Sequence, residues 1–257
     1  MSIYQHYRPE EHEFVDRVIR WKTETAERYS PKLTDFLDPR EQEIVKTIVG
    51  NDTEVRLSLW GGSSFSERKR ALLYPDYYEP SSEDFQLVYY DIVYPSKFST
   101  IEHRDVLGAL MNIGVKRGKY GDILISADKV QFVCAAEISG FIELNLTKVG
   151  KSGIKLQHIE ENNLMEIKTD YDERNGTVSS LRLDVIVAEV YNLSRSKASL
   201  LIQQGRVKLN HKITDQPAVE VIEGDELSVR GFGRSKLIAI EGMTKKEKWR
   251  IRYGHLK

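Results

Sequence analysis

The sequence predicts an α+β protein in three parts, and three observations carry that reading. Helix signatures dominate residues 1–78; strand and helix signatures follow in the order βαββαβ over 79–160; residues 181–257 open with two amphipathic helices and then alternate as strands. A polar, charged segment at 161–180 connects the second part to the third. At 257 residues the chain is long enough for about two domains with real cores.

In the first part, Phe14, Val15, Val18 and Ile19 recur at helical spacing among charged residues, which predicts an amphipathic helix over 10–28. "DPREQEIVKTIVGN" carries a full set of helix signals: Asp38 as N-cap, Pro39 at the first position, Glu41 as capping-box acid, Ile44, Val45, Ile48 and Val49 as one face, and Gly50 as the stop. "EVRLSLW" at 54–60 alternates strictly and predicts a half-buried strand, after which "GGSSFSERKRALLYP" is expected to open a loop and a short basic helix.

The middle part starts with a strand at 85–91. Ser99 and Glu102 then suggest a capping box for a helix whose face is Val106, Leu107, Leu110 and Met111, ended by Gly114. "DILIS" and "VQFVCA" flank Ala127, Asp128 and Lys129 as hairpin strands would; Ile138, Phe141 and Ile142 suggest a helix, and 154–158 a last strand. This is the split arrangement of ferredoxin-like and RNA-recognition sheets, although the glycine-and-aromatic octapeptide of RNA-recognition sheets is missing. Adjacent strand residues face opposite ways, so at most one of Tyr89 and Tyr90 can lie on an open face. In the connecting segment, Asn175-Gly176 is a strong two-residue hairpin signal.

In the third part, Leu183, Ile186, Val187 and Val190 define one helix; Ser194 caps a second whose inward face is Ala198, Leu201 and Ile202, with Gly205 as its stop. "GRVKLN" alternates so that Val207 and Leu209 point in while Arg206 and Lys208 point out. "EGDELSVRGFGR" supplies a Gly-Asp turn, a strand through Leu227 and Val229, and Arg230 and Arg234 around two glycines.

Charge is polarised along the chain. The formal net charge is only -1, yet residues 181–257 hold 15 Lys and Arg against 9 Asp and Glu, leaving 23 against 30 for the remainder. Such a basic end is the footprint of a polyanionic partner, because the local field governs encounter with phosphates. Arg195, Ser196 and Lys197 occupy the first turn of a helix, where free N–H groups and the dipole already favour an anion. Basic side chains there are unfavourable by a few tenths of a kcal/mol each, which makes poor sense as stabilisation and good sense if a phosphate arrives.

"RLDVIVAEVYNLSRSKASLLIQQGRVKLN" followed by "VIEGDELSVRGFGR" resembles the S4 RNA-binding domain, the small module found in ribosomal protein S4, bacterial tyrosyl-tRNA synthetases and many pseudouridine synthases. That resemblance implies RNA contacts at Arg195, Ser196, Lys197, Gln203, Arg206, Lys208 and Asn210, with Arg182, Ser194, Arg230 and Arg234 nearby. "DPREQEI", "WGGSSFSERKRALLYP" and "HRDVLGALMNIGVKRGKYGDI" resemble the YlmH family, so the likeness spans the whole chain. It implies a protein that binds the large ribosomal subunit, contacting its rRNA and a peptidyl-tRNA, in rescue of stalled translation. Alternatives are an RNA-modifying enzyme delivered by the S4 module and a scaffold for a quality-control or division protein.

The remaining features are weaker. Asp184 either fixes the helix entry through Arg182 or leaves Arg182 to RNA. Auxiliary phosphate contacts are candidates at Arg68, Lys69 and Arg70 in "WGGSSFSERKR" and at Lys116, Arg117 and Lys119 in "GVKRGKYGD"; a structural turn is the other reading for both, and neither is a P-loop. The six histidines show no metal-binding spacing, Cys134 lies within an apolar alternation, and the motifs of pseudouridine synthases, tyrosyl-tRNA synthetases and glycine-motif methyltransferases are missing, so no catalytic residue, metal or cofactor is expected. No apolar run approaches the ~18 residues of a membrane span, no secretory signal is evident at the start and one cysteine permits no internal disulfide, which together suggest a cytoplasmic monomer.

Overall fold

The computed structural model describes residues 3–50, 52–97, 99–126, 128–166 and 170–256. The chain divides into two compact units, 1–167 and 168–257. No helix among the described residues is long and apolar enough to cross a membrane.

In the first unit, α1 (His12–Arg28) and α2 (Pro39–Val49) pack on an antiparallel sheet of β1 (Lys32–Leu37), β2 (Val55–Trp60) and β3 (Lys69–Pro75), in the order β1-β3-β2. The ends of α2 follow from its sequence: Asp38 Oδ1 accepts from Glu41 N at 2.8 Å, Glu41 Oε2 accepts from Asp38 N at 2.8 Å, and Gly50 leaves the helix at φ 58°. Phe14, Val15, Val18, Ile44, Val45 and Val49 close over Val55, Ala71 and Leu73, whereas Ile19, expected on the same face, lies exposed at its edge. The N-terminal part is therefore two helices on a three-stranded sheet, with more strand than its helix signals predict.

Two elements account for that difference. Lys69–Pro75, expected as a short basic helix, is the central strand; Ala71, Leu72 and Leu73 are all buried, so it reads as a continuous apolar run, which a buried strand and a helix share. The alternation of β1 is broken by a register shift between Leu33 and Phe36 and by the burial of Thr34.

The βαββαβ order of the middle part is present. β4 (Leu87–Val93), α3 (His103–Asn112), β5 (Tyr120–Ile125), β6 (Val130–Ala135) and α4 (Ser139–Asn145) are followed by a short ribbon, β7 (Lys148–Val149) and β8 (Ser152–Gly153), and by β9 (Lys155–Ile159). The strands pair antiparallel in the order β5-β6-β4-β9, which places the first and third strands of the motif at the centre, as in ferredoxin-like sheets. The cap of α3 lies one turn beyond Ser99: Glu102 N donates to Asp105 Oδ2 at 2.9 Å, and buried Ile101 and Val106 share one core as a staple across that turn. Met111, expected on the inward face of α3, is exposed. β5 and β6 flank the expected turn, of which Ala127 lies outside the described residues.

Neither tyrosine of β4 is open. Tyr90 packs under α3 and α4, and Tyr89, on the opposite face, is covered by Phe36 of β1 and by Leu164. The approach is close enough that a Cβ on Gly121 would stand 2.7 Å from Phe36 Cε1. The sheet face on which RNA-recognition domains stack bases is thus filled by the chain itself. Arg70, 4 % exposed, locks this junction: its guanidinium donates to Thr34 O at 2.7 Å, to Phe85 O at 3.2 Å and to Glu137 Oε2 at 3.3 Å.

In the second unit, β10 (Tyr171–Val178) precedes α5 (Leu183–Val190) and α6 (Arg195–Gln203), and then come β11 (Val207–Leu209), β12 (Lys212–Ile213), β13 (Glu226–Val229), β14 (Gly233–Met243) and β15 (Trp249–Leu256). These strands form one antiparallel sheet, β10-β15-β14-β13-β11-β12, whose core joins Leu183, Ile186, Val187, Ala198 and Ile202 to Val207, Leu227, Val229 and Ile251. Asn175 and Gly176 make no hairpin; they lie inside β10 opposite Arg252 and Ile251. The glycine serves close packing, since a Cβ there would meet Glu189 Oε1 at 2.6 Å.

Removing Arg70 takes away the donor that serves Thr34 O and Phe85 O at a buried junction, while Glu137 keeps Lys119 as its partner. Arg70→Ala is therefore expected to lower unfolding free energy by about 3 kcal/mol in chemical denaturation. It should also speed labelling of Cys134, which is buried and whose thiol burial pushes up to about 12.

Candidate nucleic-acid interface

The start of α6 is positioned by a buried carboxylate. Asp184, 2 % exposed in the first turn of α5, accepts from Arg182 Nε at 3.0 Å and from Arg195 Nε at 2.8 Å, and so ties the beginnings of both helices together. Ser194 caps α6 by accepting from Lys197 N at 3.2 Å. Two cations meet one anion in this clamp, and the arginine side chains remain 42 % and 59 % exposed, so its outer rim is positive.

Lys197 faces elsewhere. Residues two apart on a helix differ by about 200° in direction, and Lys197 Nζ lies 5.6 Å from the ring centroid of Phe232, in the turn between β13 and β14. From that turn the cations continue without a gap. Arg230 N donates to Arg206 O at 2.9 Å; Lys208 stands opposite Ser228, and Ser228 opposite Arg234, so Lys208 and Arg234 share one row on the sheet face turned away from the core. Among the described residues, the side chains of Arg206, Lys208 and Arg230 have no hydrogen bond or ion pair, and all three are exposed.

The structure therefore brings together Lys197, Arg206, Lys208, Arg230 and Arg234. Arg182 and Arg195 stand apart from them in the Asp184 clamp, and Arg195 lines a separate groove of about 630 Å³ with Arg174, Thr177, Glu189, Lys248 and Tyr253. Ser196 is exposed in the first turn, whereas Gln203 lies at the other end of α6, about 12 Å along the axis. Asn210 serves the fold: at φ 48° it turns the chain, its Nδ2 donates to Asp225 Oδ1 at 2.7 Å, and its Oδ1 accepts from Glu226 N at 2.9 Å. Sequence reasoning passed over Phe232, whose signal was an aromatic set between glycines and arginines.

Of the six candidate cations in the first unit, Arg68, Arg70, Arg117 and Lys119 are absorbed by folding. Arg70 is the buried lock described above; Lys119 Nζ pairs with Asp35 at 2.6 Å and Glu137 at 3.1 Å; Arg68 Nη2 donates to Phe36 O at 3.0 Å. Arg117 donates to Tyr120 O at 2.8 Å while lying 4.5 Å from the centroid of the Tyr120 ring. Lys69 is half-buried, and burial and nearby Lys46 lower its pKa; Lys116 is exposed. The described residues hold no group of three or more His, Cys, Asp and Glu arranged to take a metal ion.

Burial alone would raise the Asp184 carboxyl, but the bonds and charges of Arg182 and Arg195 outweigh it and hold the group below the usual carboxylate range. A carboxylate depressed on folding contributes stability above its unfolded pKa of ~3.9, and that stability is lost as pH falls through the folded value. Asp184→Asn is accordingly expected to lower Tm at neutral pH, with the gap to the unsubstituted protein narrowing below about pH 4. Thermal scans across that range read the effect.

Comparison with known proteins places this geometry in a family. Residues 10–78 match the family model described as "YlmH, N-terminal", residues 80–163 match "Putative RNA-binding domain in YlmH", and residues 181–227 match the S4 domain. The chain is 45 % identical over 252 residues to the "Ribosome-associated protein quality control protein P2" of Bacillus subtilis (strain 168), covering 98 % of each chain. A solved structure, "Cell division protein ylmH from Streptococcus pneumoniae", is similar with a TM-score of 0.53 and 29 % identity, over 64 % of this chain and 100 % of that one. Lys197, Arg206 and Lys208 lie within the residues that match the S4 domain, and the chain as a whole belongs to the YlmH family.

Proposed function

We propose that the protein is a non-enzymatic RNA-binding factor of the cytoplasm. On this reading it acts as a monomer, binds structured rRNA and tRNA on the large ribosomal subunit, and serves in quality control of stalled translation. The observation that carries the reading is the row of Lys197, Arg206, Lys208 and Arg230, exposed side chains gathered on one surface with half-buried Arg234 beside them, whose charge is open to a polyanion. Contacts of this kind go to phosphates and fix orientation, so selectivity comes from the shape of folded RNA. The ribosome-associated relative from Bacillus supports the choice of RNA, and the division protein from Streptococcus supports a second reading, a scaffold for a division factor.

Co-sedimentation with purified large subunits over a salt series tests this. Neutralising Lys197, Arg206, Lys208 and Arg230 to glutamine one at a time is expected to weaken binding and to reduce the slope of log K against log salt by about one for each residue. Arg195 is a poor choice for charge reversal, because a glutamate there would face buried Asp184. Unchanged co-sedimentation by folded variants would overturn the RNA reading in favour of the scaffold. Turnover of rRNA or tRNA nucleotides by the purified protein would overturn the non-enzymatic one.

A further inference from the structure

The basic row has an aromatic residue in its middle that phosphate binding does not use. Phe232 is 40 % exposed at the tip of the β13–β14 turn, between Gly231 at φ 90° and Gly233 at φ 95°, and is flanked in sequence by Arg230 and Arg234. Its mounting is rigid. The ring centroid lies 6.1 Å from that of Tyr191 in a T-shaped contact, and Tyr191 is itself fixed from below, its one hydroxyl proton shared between Gly233 O at 3.2 Å and Leu227 O at 3.3 Å. Burial pushes that hydroxyl up to about 12, so it remains a donor at any working pH. The Lys197 ammonium lies over the ring, 5.6 Å from its centroid.

A turn that needed only to join two strands would be served by polar residues; this one holds a partly exposed aromatic ring on a buttressed support, with Lys197 over it and Arg230 and Arg234 close by in the chain. Nucleic acid matches both halves of that surface, since an unpaired base stacks on an aromatic ring while its phosphates reach the surrounding positive charge. We propose that Phe232 is a base-stacking platform, through which the C-terminal unit engages an unpaired nucleotide beside the phosphates of the structured RNA; the proposal rests on the RNA-binding reading above. Lys197 then has two roles, orienting the ring in the free protein and meeting a phosphate in the complex.

The test uses the full chain and two synthetic RNAs of equal length, a hairpin with an unpaired loop and a blunt duplex. The unsubstituted protein is expected to bind the hairpin more tightly. Phe232→Ala should weaken hairpin binding by roughly 5- to 150-fold, the range set by the loss of one stacked base, leave duplex binding unchanged, and keep the same salt slope because no phosphate contact is lost. Phe232→Trp should retain hairpin affinity. Phe232→Leu, which keeps apolar bulk without a π face, should fall with the alanine variant while its Tm stays near that of the unsubstituted protein. Equal hairpin affinity for the alanine variant and the unsubstituted protein, leucine behaving like phenylalanine, or equal weakening on both RNAs would overturn the stack and leave salt-dependent RNA binding standing. Failure of the unsubstituted protein to bind either RNA in a salt-dependent way would overturn the RNA reading itself, and the platform with it.

Discussion

Mutual repulsion among the cations gathered on one surface of the C-terminal sheet is the constraint on which the rest of this unit depends. Two unit charges about 10 Å apart in water repel by roughly 0.4 kcal/mol, and more where protein displaces solvent. A flexible segment would relieve that repulsion by spreading. Here the positions are set by strand register: Lys208, Ser228 and Arg234 sit in one row because β11, β13 and β14 are neighbours, and Arg206 and Arg230 are held together by a backbone hydrogen bond. The core beneath, from Val207 and Val229 through Ile202, supplies the stability that lets the charges stay together.

The first unit handles its charge in the opposite way. Arg70 and Lys119 tie the N-terminal sheet to the middle part through Glu137 and Asp35, while Arg68 bonds within the N-terminal part and Arg117 folds onto the carbonyl and ring of Tyr120. Phe36 and Leu164 occupy the sheet face that would otherwise present Tyr89. The same residue types, arginine and lysine, thus act as internal fasteners in one unit and as outward charge in the other, and the difference lies in whether a counter-charge or carbonyl is within hydrogen-bond reach. The match of residues 80–163 to a putative RNA-binding domain therefore attaches to a unit whose base-stacking face is closed.

Legibility in the sequence followed how local the deciding interaction was. The capping box of α2, the helix pair with its Ser194 cap and the outward placement of Arg206 and Lys208 are settled within a few residues, and they were readable. β3 was misread because burial on both faces erases alternation, and Asn175-Gly176 because the glycine answers to Glu189 and Tyr253, far away in sequence. For the site, charge pattern located the cationic row but could not show that Asp184 draws Arg195 aside, that Asn210 spends its amide on Asp225 and Glu226, or that Phe232 stands among the cations. Each of those depends on a contact between elements.

On the function proposed above, the C-terminal unit is the surface that meets RNA. Ultraviolet crosslinking in living cells, followed by mass spectrometry of the RNA-bearing peptides, examines that point most directly. The crosslinked residues should fall within 195–210 and 230–234. Crosslinks concentrated in 80–163, with none in the C-terminal unit, would contradict the account.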